Sequence, residues 1–225
     1  MKTPEYVGKD REQFLEKMQR AKPHAANFLG YEIIILPHVF LPSTPSELLA
    51  KLAIVGKGLK VADIGTGTGV LALIAGVKGT VGYAADINPE AVKNARLNLD
   101  KYGISGIRTI KSDLFSNIPA AEIFDMILFN RPFWDSYDEK KMKYVAELGF
   151  SDPTGGLLPR FLEEAKSRLS KKGRILLSAA EWEPLKRIEL MFEKSGYEYK
   201  MRGKLASKRD NRRVYRAYEL KIKHA

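Results

Sequence analysis

The sequence predicts an α/β fold with a doubly wound, mostly parallel seven-stranded sheet that ends in an antiparallel strand pair. From residue 59 onward, short apolar runs alternate with segments of helical periodicity, which is typical of a parallel sheet covered by helices. A glycine-rich turn, residues 65–69, directly follows the first of these runs. After Gly196, two further runs flank a polar turn at Asp210-Asn211, which indicates the closing antiparallel pair.

Each element of this fold follows from an apolar run and the turn residues around it. Strands are predicted at residues 59–64, 80–85, 107–111, 124–129, 173–179, 197–206 and 213–222. Helices are predicted near residues 69–77, 89–101, 155–170 and 184–195. Pro89 and Pro184 stand near two of the helix starts. Proline is tolerated there because the first N–H groups of a helix have no intrahelical acceptor.

The length of 225 residues suits one α/β domain with a short addition, so residues 1–45 are predicted as an extension and residues 46–225 as the domain. Helical spacing after a capping box predicts a helix over residues 10–21, and Tyr31 to Leu36 is typical of a strand. A further helix is expected to begin with Thr44 as its N-cap, Pro45 at its first position and Glu47 reaching back.

The composition excludes several kinds of site. The chain has no cysteine, which rules out disulfides, thiolate zinc sites and cysteine nucleophiles. Its three histidines show no metal-ligand spacing, so no metal site is expected. No apolar run approaches the roughly 20 residues that a membrane span needs, and the N-terminus lacks the apolar core of a signal peptide. We therefore expect a cytoplasmic protein with no membrane contact.

A glycine triplet, at positions 65, 67 and 69, follows a strand and leads into a helix, whose first N–H groups favour an anionic or polar ligand. Such a triplet is also typical of a merely flexible turn. Its G-x-G-x-G spacing differs from the G-x-G-x-x-G of dinucleotide-binding folds, which disfavours a nicotinamide dehydrogenase.

Three acidic residues follow three successive strands near this turn. Asp63 precedes the first glycine by two positions, where a carboxylate can attract the ammonium of a bound amino acid. Asp86 ends the next strand, where it can accept hydrogen bonds from both hydroxyls of a ribose, and Asp113 is placed to meet an adenine amino group. Ligands of open α/β sheets bind at these strand ends, so the three acids together predict a cofactor site.

The run from Val61 to Gly69 resembles the first motif of class I S-adenosylmethionine-dependent methyltransferases, and Asp86 and residues 112–115 match their later cofactor motifs. Within that superfamily the sequence is most similar to the HemK-type protein-glutamine methyltransferases. The similarity lies in Pro42 to Glu47, the Ser-Asp-Leu-Phe run at 112–115, Asn130 to Phe133, and Gly155 to Leu157.

This resemblance implies a Rossmann-like methyltransferase that binds S-adenosylmethionine. The residues implied to hold the cofactor are Asp63, Gly65, Thr66, Gly67, Gly69, Asp86, Ile87, Asp113, Leu114 and Asn130. The implied catalytic residues are Asn130, Pro132 and Phe133.

The run Asn130-Arg131-Pro132-Phe133 stands where that family carries Asn-Pro-Pro-Tyr or Asn-Pro-Pro-Phe. The nitrogen lone pair of an amide or aryl amine is delocalised. The nitrogen therefore attacks a methyl group only when its lone pair points at that group. An Asn carbonyl and a neighbouring backbone carbonyl can accept the two N–H bonds, while an aromatic ring stacks on the planar group. The alternative is that the run is only a polar turn after a strand.

Arg131 departs from the family pattern, because it replaces the first proline. Pro132 still biases Arg131 toward extended backbone, so the path of the loop can survive. Arg131 could instead contact an acidic substrate or a phosphate, a role that its two-pronged guanidinium suits. The departure also leaves open a non-catalytic, cofactor-binding partner subunit.

The net charge of +11 is concentrated near the end of the chain, where residues 208–213 contain Lys208, Arg209, Arg212 and Arg213. Tyr215 and Tyr218 follow closely. Basic residues with aromatics can track a nucleic-acid backbone and stack on bases, although charge runs are often only solvated surface.

The predicted function is transfer of a methyl group to a planar nitrogen, with a glutamine amide of a translation release factor as the first candidate acceptor. The alternative acceptor is an exocyclic base amine in rRNA or tRNA. The expected partners are accordingly a protein substrate or RNA, with a small partner subunit as a further possibility.

Overall fold

The computed structural model describes residues 22–53, 55–133, 149, 152 and 155–223, so the predicted helix over residues 10–21 lies outside the described residues. The strands are β1 (His24–Phe28), β2 (Tyr31–Ile35), β3 (Lys60–Ile64), β4 (Val81–Asp86), β5 (Ile107–Lys111), β6 (Phe124–Phe129), β7 (Leu169–Ala180), β8 (Tyr197–Ala206) and β9 (Val214–Ile222). The helices within these residues are α1 (Thr44–Leu52), α2 (Val70–Gly76), α3 (Pro89–Lys101), α4 (Leu157–Lys166) and α5 (Leu185–Lys194).

The main sheet has seven strands in the order β5-β4-β3-β6-β7-β9-β8. The strands from β5 to β7 are mutually parallel, whereas β9 runs antiparallel to both β7 and β8. The predicted fold class is therefore confirmed. The chain winds outward from β3 in one direction and from β6 in the other, and the point where such a sheet reverses is where α/β folds bind ligands.

Apolar side chains cover both faces of the sheet. On one face, Phe161 of α4 and Phe192 of α5 are fully buried in a cluster with Tyr218 of β9. On the other face, Leu49 of α1, with residues of α2 and α3, forms the second buried cluster. The sheet is therefore covered by helices on both sides, as its apolar central strands require.

The start of α1 differs from the prediction that named Thr44 as the N-cap. The cap is Ser43, whose backbone N–H donates to the Ser46 hydroxyl at 3.2 Å. Glu47 was predicted to reach back, but it forms ion pairs with Lys51 at 2.6 Å and Lys208 at 3.8 Å. Because the cap shifts by one residue, Ser46 takes the position that the sequence reading gave to Glu47.

The strands differ from the prediction by more than one residue in two places. Strand β7 begins at Leu169 rather than 173, because it pairs with Phe124 and then passes through a register shift before Arg174. Strand β1 was not predicted, and it pairs with β2 through a tight turn at Leu29-Gly30, both with positive φ, of 51° and 91°. Such a pair of left-handed residues is typical of two-residue hairpin loops.

The β1–β2 hairpin is tied to the main domain by two asparagines of α3. The Asn98 carbonyl accepts the Ile34 N–H at 2.7 Å, and the Asn94 carbonyl accepts the Leu36 N–H at 2.8 Å. The Asn98 amide also donates to the Thr68 carbonyl at 2.8 Å. A single side chain thus connects the hairpin, α3 and the glycine loop.

Candidate active site

The carboxyl ends of β3, β4, β5 and β6 open onto one cavity of about 340 Å³, within the usual range for small-molecule sites. It lies where the sheet order reverses, as expected for this architecture. The predicted site residues that line it are Gly65, Thr66, Gly67, Asp86, Ile87, Asp113, Leu114, Asn130, Pro132 and Phe133. The cavity therefore brings together most of the cofactor and acceptor residues inferred from the sequence.

Gly67 and Gly69 have different physical roles in the glycine loop. Gly67 lines the cavity with a φ of +55°, a conformation that side-chain-bearing residues rarely adopt. Gly69 does not line it; a Cβ there would lie 2.7 Å from the Cα of Ala95. Gly69 thus lets α2 start against α3, and we propose that it supports the cofactor loop without touching the cofactor.

Asp63 also lies behind the cavity wall rather than on it. Its side chain is 1% exposed, and one carboxylate oxygen accepts both the Thr66 hydroxyl at 2.6 Å and the Ala72 N–H at 3.1 Å. Burial raises the pKa of Asp63 to about 7, although these hydrogen bonds oppose the shift. We propose that Asp63 acts on a bound ammonium through the loop that it supports.

Asp86 lines the cavity and fixes two loops at once. One carboxylate oxygen accepts the Gly67 N–H at 2.9 Å and the other accepts the Asn88 N–H at 2.9 Å. Burial raises the pKa of Asp86, while the hydrogen bonds from Asn88 and Gly67 favour the charged form. The backbone N–H of Ile87 also bonds this carboxylate, and a carboxylate has about four lone-pair sites, so one remains to accept a hydroxyl group of a ribose.

The segment after β5 supplies the third acid. The Asp113 carboxylate lines the cavity and pairs with Arg160 Nη2 of α4 at 2.9 Å. Leu114, the next residue, is buried with a φ of +47°. A left-handed leucine is uncommon and is tolerated where the surroundings impose it, here in the wall of the cavity.

Asn130 stands at the end of β6 with both ends of its amide engaged. Its Oδ1 accepts the Ser178 hydroxyl of β7 at 2.8 Å, and its Nδ2 donates to the Ser46 hydroxyl of α1 at 3.0 Å. Ser178 is fully buried and Ser46 is 4% exposed. The two serines therefore hold the Asn130 amide in one place on the cavity wall.

Phe133 packs in a cluster of three aromatic rings at the same edge. Its ring centroid lies 6.5 Å from that of Trp182 and 5.5 Å from that of Tyr215, and those two rings are 5.3 Å apart. Tyr215 reaches this place because β9 pairs with the end of β7, Ala180 opposite Tyr215. Phe133 lines the cavity, and Trp182 and Tyr215 pack against its ring from behind the wall.

Sequence reasoning missed Ser46, Ser178, Trp182 and Tyr215 as parts of this site. Ser46 carried a signal, because it lies within the segment from Pro42 to Glu47 that resembles the family, and Tyr215 stood out only as an aromatic residue after the basic turn. The other three come from β7, from the segment after it and from the start of β9. Ser178 reaches Asn130, and Trp182 and Tyr215 reach Phe133, because of the order of the strands, which is not a local property of the sequence.

The described residues contain no group of three or more histidine or acidic side chains arranged to hold a metal ion. None of the helices formed by these residues is long and apolar enough to cross a membrane.

Comparison with known proteins places this geometry among methyltransferases. The pattern of the family described as "Methyltransferase small domain" matches residues 43–201. A protein of Methanocaldococcus jannaschii, provisionally named a protein N5-glutamine methyltransferase, is 33% identical over 147 residues, which cover 64% of this chain and 73% of that protein. The release factor glutamine methyltransferase of Salmonella typhimurium is 27% identical over 204 residues, covering 81% of this chain and 71% of its own length.

A solved structure supports the fold independently. The 16S rRNA N2 G1207 methyltransferase of T. thermophilus, determined with AdoMet and guanosine, superposes with a TM-score of 0.65 at 20% identity. The match covers 90% of this chain and 50% of that one. At this identity the likeness establishes the shared architecture.

Proposed function

Because the chain belongs to the methyltransferase small domain family, and so is an S-adenosylmethionine-dependent methyltransferase, we propose that its acceptor is the side-chain amide of a glutamine in a protein. The first candidate is a translation release factor, since relatives carry that function in their names. The observation that carries this proposal is the Asn130 amide, held by Ser46 and Ser178 on the wall of the cofactor cavity.

The cavity has the donors and acceptors that the cofactor needs. Asp86 offers a carboxylate lone pair to a ribose hydroxyl, and Gly65 and Gly67 leave backbone open to a ligand at the start of α2. Ile87 and Leu114 give it apolar wall. When bound, S-adenosylmethionine supplies an electrophilic methyl group on a positively charged sulfur.

The residues of this chain then have to orient a poor nucleophile. Asn130 Oδ1 accepts the Ser178 hydroxyl through one lone pair and has a second for an acceptor N–H. A neighbouring backbone carbonyl can take the other N–H, so that the nitrogen lone pair points along the line of transfer. Phe133 offers a ring face to the planar amide. Positioning is the main catalytic contribution, because no strong base is required.

A second candidate acceptor is an exocyclic base amine in RNA, which presents the same planar nitrogen. The basic turn at residues 208–213 favours it, because the turn joins β8 and β9 at the edge of the sheet that carries Asn130. Lys208 lies 3.8 Å from Glu47, the neighbour of cavity residue Ser46. A polyanionic acceptor could therefore meet positive charge beside the cavity.

Transfer of isotopically labelled methyl groups into a cell lysate distinguishes the two acceptors. We expect the label to be removed by protease and to resist RNase, and the Asn130→Ala variant to transfer none. Label that RNase releases would favour the RNA acceptor instead.

A further inference from the structure

Arg131 is buried, although a guanidinium normally stays in water. Its side chain is 5% exposed, and Nη2 forms an ion pair with Glu183, whose side chain is 3% exposed. Buried charges of this kind are tolerated only when they are compensated, because removing one partner leaves the other charge unpaired. Arg131 borders the cavity, but Glu183 already compensates its charge, so it does not need an acidic substrate or a phosphate, the role that the sequence left open, as its counter-charge.

The two side chains of this pair also bond the backbone on both sides of the site. Arg131 Nη1 donates to the Pro132 carbonyl at 2.9 Å, and Glu183 Oε2 accepts the Ala180 N–H at 2.7 Å. The pair thus connects the loop after β6 to the segment after β7. The hydrogen bond between Asn130 and Ser178 crosses the same gap at 2.8 Å.

Arg131 reaches the aromatic side of the acceptor site as well. Its guanidinium carbon lies 5.7 Å from the centroid of the Phe133 ring, close enough for a cation–π contact. The Arg131 side chain therefore contacts both the Pro132 carbonyl and the Phe133 ring, and the Arg131 backbone directly follows Asn130. Both groups proposed to orient the acceptor, Asn130 and Phe133, depend on the course of this short loop.

The HemK-type protein-glutamine methyltransferases carry a proline at the position of Arg131, and a proline restricts φ to about −65°. An arginine backbone has no such restriction. We infer that Arg131 and Glu183 are a positioning pair, which restrains the loop of residues 130–133 through side-chain bonds where the family uses a proline ring. This inference rests on the proposed function, since only an acceptor held by Asn130 and Phe133 requires the loop to be fixed.

Two double variants of the full chain test whether a proline at position 131 can replace the restraint that the Arg131–Glu183 pair provides. R131A/E183Q removes the pair, and R131P/E183Q removes it but restores the proline. We expect R131A/E183Q to lower kcat for a recombinant release factor by about 10- to 100-fold, with the Kd for S-adenosylmethionine unchanged within about threefold. R131P/E183Q should recover most of that kcat. Equal kcat in the two variants, whether wild-type or low, would contradict the inference.

Hydrogen exchange at the Phe133 amide provides a readout that needs no acceptor. With S-adenosylmethionine bound, exchange should be faster in R131A/E183Q than in the wild type and slower again in R131P/E183Q. If the wild type does not methylate the release factor, the proposed function fails, whereas the exchange rates still decide the role of the pair. Identical rates in all three proteins would refute it.

R131K covers the case in which the proline variant does not fold. Lysine keeps the charge but lacks the planar pair of donors that reaches both Glu183 and Pro132. We expect unchanged cofactor affinity with a kcat lowered by about tenfold or more. A wild-type kcat in R131K would contradict the positioning role.

Discussion

The Asp86 carboxylate accepts the backbone N–H of Gly67 at 2.9 Å, so the acid that ends β4 also holds the glycine loop that follows β3. The same side chain lines the cavity. Its carboxylate therefore shapes the glycine loop, and we propose that it also contacts the cofactor. Replacing it should affect binding more than any other single acid of the site.

We predict that Asp86→Ala weakens S-adenosylmethionine binding by roughly 1–3 kcal/mol, the usual effect of losing a charged hydrogen-bond partner. Isothermal titration with the cofactor and with its demethylated product measures this change. Asp100→Ala is a matched control, because Asp100 is a half-exposed acid that pairs with Arg96 on the surface of α3. Wild-type affinity in a folded Asp86→Ala protein would show that the cofactor does not bind in the cavity beside Asp86.

Asn130→Ala is expected to abolish turnover while the cofactor affinity stays within about threefold of wild type. Under the proposed function, Asn130 directs the acceptor nitrogen, and its neutral amide can make no charged contact with the cofactor. Steady-state kinetics and titration on the same preparation separate the two effects. The control is Asn27→Ala, an exposed residue of β1 whose side chain accepts the Gly30 N–H at 3.1 Å. Undiminished turnover would show that Asn130 has no role in the mechanism. Lost cofactor binding would show that Asn130 mainly holds the cofactor and not the acceptor.

The buried Asp63 predicts a pH-dependent stability. Its pKa is about 7 when folded and about 4 when unfolded, so between these values the folded chain binds the proton and the unfolded chain does not. Stability should therefore fall as the pH rises from about 4 to about 7, by up to about 4 kcal/mol.

Urea unfolding of the wild type and of Asp63→Asn across this pH range measures the effect. The neutral asparagine has no proton to lose, so the stability of the variant should change less with pH. Parallel stability curves for the two proteins would show that Asp63 does not titrate in this range.

The basic turn should assist the acceptor without contributing to folding or cofactor binding. We choose Lys208, Arg209 and Arg212 for replacement by Ser and leave Arg213, whose side chain is only 18% exposed. The apparent affinity for the acceptor should fall with kcat little changed, and the difference should fade as salt screens charges beyond about 8–10 Å.

The dependence of acceptor affinity on salt concentration also distinguishes an RNA acceptor from a protein acceptor. For RNA, each lost phosphate contact should lower the slope of log affinity against log salt by about 0.7–0.9, and for a protein acceptor the dependence should be shallower. Replacing Lys57, Lys171 and Lys172, three exposed lysines near the amino ends of β3 and β7, provides the control. An equal response in all proteins would identify residues 208–213 as solvated surface.

The sequence predicted the seven-stranded sheet because most of its strands are short apolar runs bounded by turn residues, and such local signals can be recognised without a structure. Most of the site residues that it predicted do line the cavity, since those positions directly follow strands. It did not predict that Asp63 and Gly69 lie behind the loop. Asp63 accepts the N–H of Ala72 in α2, and Gly69 packs against Ala95 in α3, so both positions depend on how these helices pack.

The role of Arg131 was equally beyond the sequence. Its partner, Glu183, is 52 residues away in the chain and comes close only because β7 lies beside β6. The serines that hold Asn130 arrive in the same way, from α1 and β7. Contacts between strand ends follow from strand order, and strand order is not a local property of a sequence.

Methylation of a recombinant release factor by the purified chain with S-adenosylmethionine alone tests the central claim most directly. Peptide mass spectrometry should find one added methyl group on a glutamine side-chain amide. The methyl group should be absent with Asn130→Ala or when that glutamine is replaced by alanine. Cofactor binding without any methylated glutamine, or methyl transfer only to RNA, would contradict the claim that a protein amide is the acceptor.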